Sequence, residues 1–162
     1  MKKLLCTLLS AAMLCGCAAA PVQTAPTEST AAHWQLEKGG LTISAPDGLA
    51  ENAITTEEAA DHTVVRIHAP GTYILSGKLD AGQIAVDLGE TARDDPNAVV
   101  TLVLDGAEIT CPSAPAIVFY NVYESGEPGG AAGANVILAE GSENYVNGSH
   151  TEDYDGALYS RM

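Results

Sequence analysis

Cysteine, basic residues and aromatic residues are all scarce in this chain of 162 residues. Four cysteines, seven Lys and Arg, one Trp, one Phe and six Tyr stand against 21 Asp and Glu. The resulting net charge of −14 excludes nucleic acid as a natural partner, because phosphate binding requires clustered Lys and Arg. The same charge disfavours bare polyanionic sugars unless a divalent cation bridges the carboxylates.

A hydrophobic run long enough to span a membrane is also missing. The apolar run from Leu4 to Leu14 has eleven residues, whereas a transmembrane helix needs about 20. Lys2 and Lys3 precede this run, and small residues follow it. A basic start, a short apolar middle and a small-residue exit are typical of a secretory signal, which we predict over residues 1–17.

The exit of this signal, Leu14-Cys15-Gly16-Cys17, resembles the lipobox of bacterial lipoproteins. The resemblance implies that Cys17 carries a diacylglycerol, so that the mature protein is exported and anchored to the outer face of the cell membrane. Ordinary signal cleavage and lipidation of Cys15 are the alternatives. Only Cys111 then remains as a thiol, which excludes an internal disulfide and predicts a small buried hydrophobic residue.

Two segments follow the signal. Residues 18–32 are mainly Ala, Pro and Thr without periodicity, which predicts a flexible linker. From residue 33 onwards, short β-branched and Leu runs end at Gly, Pro, Asn or Asp, and this pattern predicts an all-β domain over residues 33–162. Within it, only residues 51–61 have a pattern compatible with one or two turns of helix.

Three glycines recur in similar contexts and indicate an internal repeat. Gly77, Gly106 and Gly141 are 29 and 35 residues apart, and each lies two or three residues after a Leu that ends a strand-like run. A second and a third strand-like run follow each glycine. Three short strands per repeat predict a parallel β-helix of about three coils, in which equivalent strands stack. Asp-Gly and Asn-Gly pairs also occur, and they keep an antiparallel sandwich open as an alternative.

Six segments occur in order along about ninety residues of the chain. They are Gly71–Gly77, Gly82–Asp87, Val100–Thr110, Pro115–Ile117, Val136–Asn144 and Asp155–Ser160. In this order, they resemble a bacterial family of exported carbohydrate-binding proteins. The resemblance implies a right-handed parallel β-helix, binding of cellulose-like or pectin-like polysaccharide, and bound calcium. Family members are longer, so this chain is expected to be the N-terminal part of a larger protein with an incomplete β-helix.

Two acidic loops are candidate calcium sites. Asp94 and Asp95 lie in one, and Asp153 and Asp155 lie in the other. Calcium binds six to eight oxygen atoms, so neither pair suffices alone, and backbone carbonyls or a neighbouring coil would have to contribute. Solvated loops without a metal are the alternative for both.

Aromatic rings that stack on sugars are the second expectation for a binding site. Tyr120, Tyr123 and Tyr154 fall at strand ends or in loops, where they form a candidate platform; packing at the rim of the core is the alternative.

The predicted function is therefore non-catalytic polysaccharide binding, and no residue is predicted to be catalytic. A calcium-dependent polysaccharide lyase on the same scaffold is one alternative, for which the available cations are Arg66, Lys78 and Arg93. A surface adhesin or envelope-structural protein is another. The sequence leaves the oligomeric state and the particular glycan open.

Overall fold

Strands account for nearly all the regular structure of this protein. A computed structural model describes residues 32–36 and 39–149, and in these residues it has ten strands, one 3-10 helix (Glu90–Asp94) and no α-helix. The all-β prediction is confirmed. The strands are β1 (Ala32–Gln35), β2 (Thr42–Ala45), β3 (Ile54–Glu58), β4 (Thr63–Ile67), β5 (Gly71–Leu79), β6 (Gly82–Asp87), β7 (Val100–Cys111), β8 (Ile117–Asn121), β9 (Ala134–Leu138) and β10 (Tyr145–Gly148).

The predicted signal, Cys17 and almost all of the predicted linker lie outside the described residues; β1 begins at Ala32, the last residue assigned to that linker. Among the residues that the structure describes, no helix has the length and apolar character required to cross a membrane.

The strands form two sheets. The first has the order β1-β2-β5-β7-β10, with β9 also paired to β7, and the second has the order β3-β4-β6-β8. From β4 to β9, successive strands alternate between the sheets. A chain that crosses to the other sheet and then returns pairs parallel with the strand it left, because the crossover lets it re-enter in the same direction.

Repeat-equivalent strands are the ones that pair, and they do so in parallel. The registers match the predicted alignment of the strand-like runs, since Leu75 pairs with Leu104 and Lys78 with Glu108. The glycines are offset by one residue, because the register shifts after Leu75 and pairs Gly77 with Ala107. The third strand of the last repeat, predicted near residues 157–159, lies outside the described residues. The paired positions are Leu75–Leu104–Leu138 in the first strand, Lys78–Glu108–Tyr145 in the second and Ile84–Ile117 in the third.

The N-terminal strands depart from the predicted parallel winding. β1 pairs antiparallel with β2, β2 with β5, and β3 with β4. The connection between β3 and β4 is only four residues long, with the Ala59 amide donating to the His62 carbonyl at 2.8 Å, and so short a link joins only antiparallel neighbours. The prediction of helical turns in residues 51–61 is wrong, since pairing with β4 holds this segment as β3.

Both sheets are therefore mixed or flanked by antiparallel strands, and they do not close on themselves. The described residues show an all-β fold in which repeat-equivalent strands pair in parallel. They do not by themselves show the right-handed parallel β-helix that the sequence predicts.

One apolar core lies between the two sheets, and alternation along the strands supplies it. In β7, for example, alternate residues are buried on either side of the exposed pair Asp105 and Gly106. Cys111 is a free thiol and is 2% exposed, which confirms its prediction as a buried hydrophobic residue. The largest buried members of the core are Tyr73, Leu41, Ile43, Ile67, Leu75, Leu79, Ile84, Leu102 and Ile109.

Candidate functional site

The outer face of the second sheet carries the best-defined group of polar side chains. Its floor is apolar and small: Val64 in β4, Ala85 in β6 and Val118 in β8 are buried together, with Tyr120 packed against them. Alternation along β4 places Val64 and Arg66 on the same face, opposite to the core residue Val65. The sheet thus presents Arg66 above a tyrosine-edged apolar floor.

Arg66 is the centre of this face. Its guanidinium carbon lies 5.9 Å from the centroid of the Tyr120 ring, which is a cation–π arrangement. It forms an ion pair with Glu57 of β3 and lies 3.9 Å from a carboxylate oxygen of Asp87 in β6. The Arg66 side chain is 26% exposed, so part of it is accessible at the sheet surface.

Two further hydrogen bonds extend the group across β6 and β8. The Asn121 side-chain amide donates to Asp87 Oδ1 at 2.8 Å, and Arg93 Nε donates to Asn121 Oδ1 at 3.1 Å. We call Glu57, Arg66, Asp87, Asn121 and Arg93 the Arg66 network. Carboxylates, an amide and guanidinium groups offer donors and acceptors side by side, which is what the vicinal hydroxyls of a sugar require.

The three tyrosines predicted as a platform fall in different places. Tyr120 is half-buried in β8, and its ring contacts the Arg66 guanidinium. Tyr123 lies beyond β8, where its amide donates to the Ala98 carbonyl at 3.1 Å and its carbonyl accepts from the Gly133 amide at 2.8 Å. Tyr154 lies outside the described residues. Tyr120 therefore supports Arg66, and a stacking platform made of the three rings stays a prediction.

The candidate calcium ligands are only partly described. Asp94 ends the 3-10 helix, and Asp95 Oδ1 accepts hydrogen bonds from the Asn97 amide at 2.9 Å and the Asn97 side chain at 3.0 Å. Asp153 and Asp155 lie outside the described residues. Within residues 32–36 and 39–149, no group of three or more His, Cys, Asp or Glu is placed to hold a metal ion. Calcium binding thus remains a prediction.

A second polar group, which the sequence did not reveal, joins two turns. His62 Nδ1 lies 2.8 Å from Asp61 Oδ1 and 3.2 Å from Ser113 Oγ. Hydrogen bonds from His62 and then Ser113 lower the pKa of the Asp61 carboxyl. A catalytic relay places the serine and the carboxylate on opposite nitrogens of the imidazole. Here both meet the same nitrogen, so the trio ties the β3–β4 turn to the β7–β8 turn.

The cations considered for lyase chemistry already have partners. Lys78 Nζ lies 2.7 Å from Glu108 and 3.4 Å from Asp80. The hydrogen bond that it donates to Glu108, with a second to Asp80, raises the pKa of the Lys78 ammonium. Arg66 and Arg93 belong to the Arg66 network. A general base needs an accessible neutral form near the working pH, and raising the pKa of Lys78 moves it away from that state.

No single sequence signal could have found the Arg66 network. Its members come from β3, β4, β6, β8 and the 3-10 helix, and they are brought together by strand register. From the sequence, Arg66 and Arg93 stood out only as isolated cations, without their partners.

A protein-family model described as "Carbohydrate-binding domain-containing protein" matches residues 60–162. The match confirms the resemblance noted in the sequence, and it takes in every parallel strand pair described above while leaving out β1 to β3. No curated protein and no solved structure matches the chain.

Proposed function

The chain belongs to the family of carbohydrate-binding domain-containing proteins, and from this premise we propose that it is a non-catalytic polysaccharide-binding lipoprotein of the cell surface. Its ligand is a cellulose-like or pectin-like polysaccharide. Cys17 carries the lipid anchor. Calcium assists the binding of acidic polysaccharide, because a chain of net charge −14 otherwise repels a polyanion.

A right-handed parallel β-helix is the fold that we propose for the family-matched region. The alternation of β4 to β9 between two sheets and the parallel pairing of repeat-equivalent strands support this fold. In such a fold, the outer face of each sheet is a regular surface of stacked side chains, and a polysaccharide can lie along it.

The observation that carries the binding proposal is the Arg66 network. Four of its five members lie within the family-matched region. Arg66, Asp87 and Asn121 come from the neighbouring strands β4, β6 and β8, and Arg93 joins them from the 3-10 helix. Neutral sugars offer hydroxyl groups that both donate and accept hydrogen bonds, and the network supplies both kinds of partner next to an aromatic ring.

Substitution of Arg66 tests this proposal. Arg66→Met keeps the aliphatic stem on Tyr120 but removes every donor of the guanidinium. We expect binding to soluble polysaccharide to weaken about tenfold to a hundredfold, because a hydrogen bond to a charged group contributes about 1.5–3 kcal/mol. Lys78→Met is the matched control, since it removes an equal charge from the other sheet. Titration calorimetry with hydroxyethylcellulose, and with polygalacturonate in calcium, measures both variants.

The same assays separate the alternatives. Equal affinities of the Arg66→Met and Lys78→Met variants for the glycans would show that the Arg66 network does not contribute to binding. Retention of none of the glycans by the unmodified protein would contradict polysaccharide binding and favour an adhesin or an envelope-structural role. Release of unsaturated product from polygalacturonate, seen as a rise in ultraviolet absorbance, would instead identify a lyase.

Lipid anchoring has its own test. Cys17→Ser removes the thiol that receives the diacylglycerol, so we expect the expressed protein to lose labelling by a fatty acid and to leave the membrane fraction. Cys111→Ser is the matched control, because it removes a thiol from the core of the domain. Labelling that survives Cys17→Ser would overturn the anchor.

A further inference from the structure

The outer face of the first sheet carries a regular, uncharged patch where β5, β7 and β9 lie side by side. Thr72 in β5, Thr101 in β7 and Asn135 in β9 are direct neighbours in register, and they form a polar row. Beside it, Ile74, Val103 and Ile137 are likewise in register and form an apolar row. We call these six residues the ladder face.

The ladder face is open to solvent and ordered. Ile74 is 42% exposed and Ile137 is 50% exposed, and Thr72 and Asn135 are exposed as well. The Asn135 side-chain amide donates to the Thr101 hydroxyl at 3.4 Å, which links the polar row across strands. Adjacent strands in a sheet lie about 4.8 Å apart, so both rows repeat at that interval.

Charge distinguishes this face from the rest of the molecule. The chain carries a net charge of −14, yet none of the six ladder residues is ionisable. The charged residues on the same strands begin beyond the two rows, with Asp105 at the register shift. Further along, Lys78 of β5 and Glu108 of β7 neutralise each other in an ion pair of 2.7 Å. A neutral face on a strongly acidic protein suits a neutral partner, because no charge loses its water on docking and the acidic surroundings repel polyanions.

We propose that the ladder face docks against an uncharged, ordered polysaccharide surface. This inference rests on the proposed carbohydrate binding and assigns a second surface to it, on the opposite sheet from the Arg66 network. Sugar rings in an ordered array present C–H faces and hydroxyl edges in alternation. The apolar row contacts the C–H faces, while the threonine hydroxyls and the asparagine amide bond to the edges. A flat face with repeating rows fits such an array better than it fits a single chain in a groove.

A charge placed in the apolar row tests the inference. Ile74→Lys puts an ammonium where docking would strip its water, so we expect retention on microcrystalline cellulose to weaken about tenfold or more. Thr56→Lys is the matched control, since it adds the same charge at an exposed strand position on the other sheet. Depletion from the supernatant at increasing cellulose measures both, and the thermal unfolding midpoint shows that each variant is folded.

A second variant trims the apolar contact without adding charge. Ile74→Val keeps a β-branched residue in β5, and we expect a smaller loss of retention, about threefold, because it forfeits roughly one buried methyl group. Equal retention of unmodified, Ile74→Lys and Thr56→Lys proteins would overturn the ladder face as a docking surface.

The outcomes separate this inference from the proposed function. Suppose that Arg66→Met loses binding to soluble glycan while Ile74→Lys is retained on cellulose as well as the unmodified protein is. This result would contradict the ladder-face inference and leave the proposed function in place. A protein that binds neither soluble glycan nor cellulose would end both.

Discussion

Gly77 and Gly106 each follow a paired leucine by two residues in consecutive repeats, and both adopt the left-handed backbone region, with φ of +84° and +71°. This shared conformation explains why the sequence repeats glycine there, since an L-residue in that region costs about 1–2 kcal/mol. Their surroundings differ. A Cβ atom at residue 77 would overlap the carbonyl oxygen of Gly40, whereas at residue 106 nothing lies within 4 Å.

Alanine at the two positions therefore separates backbone strain from steric overlap. We expect Gly106→Ala to lower the free energy of unfolding by about 1–2 kcal/mol, and Gly77→Ala to lower it by more, because the backbone at Gly40 must also shift. Urea unfolding followed by far-ultraviolet circular dichroism measures both. Equal losses would show that the contact with Gly40 carries no cost.

Tyr73 gives the domain a dependence on alkaline pH. Burial raises the pKa of its phenol to about 12 from a usual 10.0, and its hydroxyl donates to the Ala69 carbonyl at 2.8 Å. Between these values the unfolded chain has released the proton while the folded chain retains it, so stability falls as pH rises from about 10 to about 12. We expect Tyr73→Phe to flatten this decline, and to cost about 0.5–1.5 kcal/mol at neutral pH for the lost hydrogen bond.

Unfolding midpoints in urea across the alkaline range check this expectation. Tyr145→Phe is the control, because Tyr145 is 55% exposed. An unchanged alkaline decline in Tyr73→Phe would assign the loss of stability to other groups.

At the scale of strands, one inward-facing row of leucines shows that the contribution of a side chain to stability depends on which strand of the sheet carries it. Leu75, Leu104 and Leu138 are neighbours in register. Leu75 and Leu104 are 0% and 2% exposed, but Leu138 in β9 is 65% exposed. We expect Leu104→Ala to cost about 2–5 kcal/mol, as truncations in a packed core do, and Leu138→Ala to cost no more than about 0.5 kcal/mol.

Chemical denaturation of the two leucine variants measures the difference. A large loss for Leu138→Ala would show that this leucine is buried in solution and would contradict its low energetic weight.

The strands also show which parts of the fold the sequence could predict. The parallel registers were predictable because strained turns require glycine, and those glycines align Leu75, Leu104 and Leu138. The antiparallel β3 was not, since its segment Ile54–Glu58 has few apolar residues and becomes a strand by pairing with β4. Side chains that meet across strands, such as Arg66 with Asp87 and Asn121, cannot be predicted from a local sequence pattern.

For the whole molecule, the two outer faces differ in chemistry and divide the proposed binding. The Arg66 network holds both signs of charge and faces outward from the second sheet, whereas the ladder face is neutral and belongs to the first. The repulsion among the other carboxylates acts on the entire chain, whose net charge is −14. Screening by salt weakens this repulsion, so sodium chloride alone is expected to raise the unfolding midpoint, Tm.

If calcium binds a specific site, it must raise Tm by more than the screening of charges by salt does. We expect Tm to rise more in calcium chloride than in magnesium chloride at equal concentration, because calcium accepts more and longer oxygen bonds from loop carboxylates. Binding of calcium to the folded state alone would add about 2.7 kcal/mol to the free energy of unfolding at a calcium concentration a hundred times the dissociation constant.

Substitution of Asp95 tests for a specific site. Asp95→Asn keeps the oxygen that accepts from Asn97 but removes the charge. It should therefore abolish the extra rise of Tm in calcium and leave Tm in sodium chloride nearly unchanged. Asp105→Asn, at an exposed position of β7 in the first sheet, is the control for loss of one charge. Equal rises in calcium and magnesium, in the unmodified protein and both variants, would reduce the role of calcium to screening.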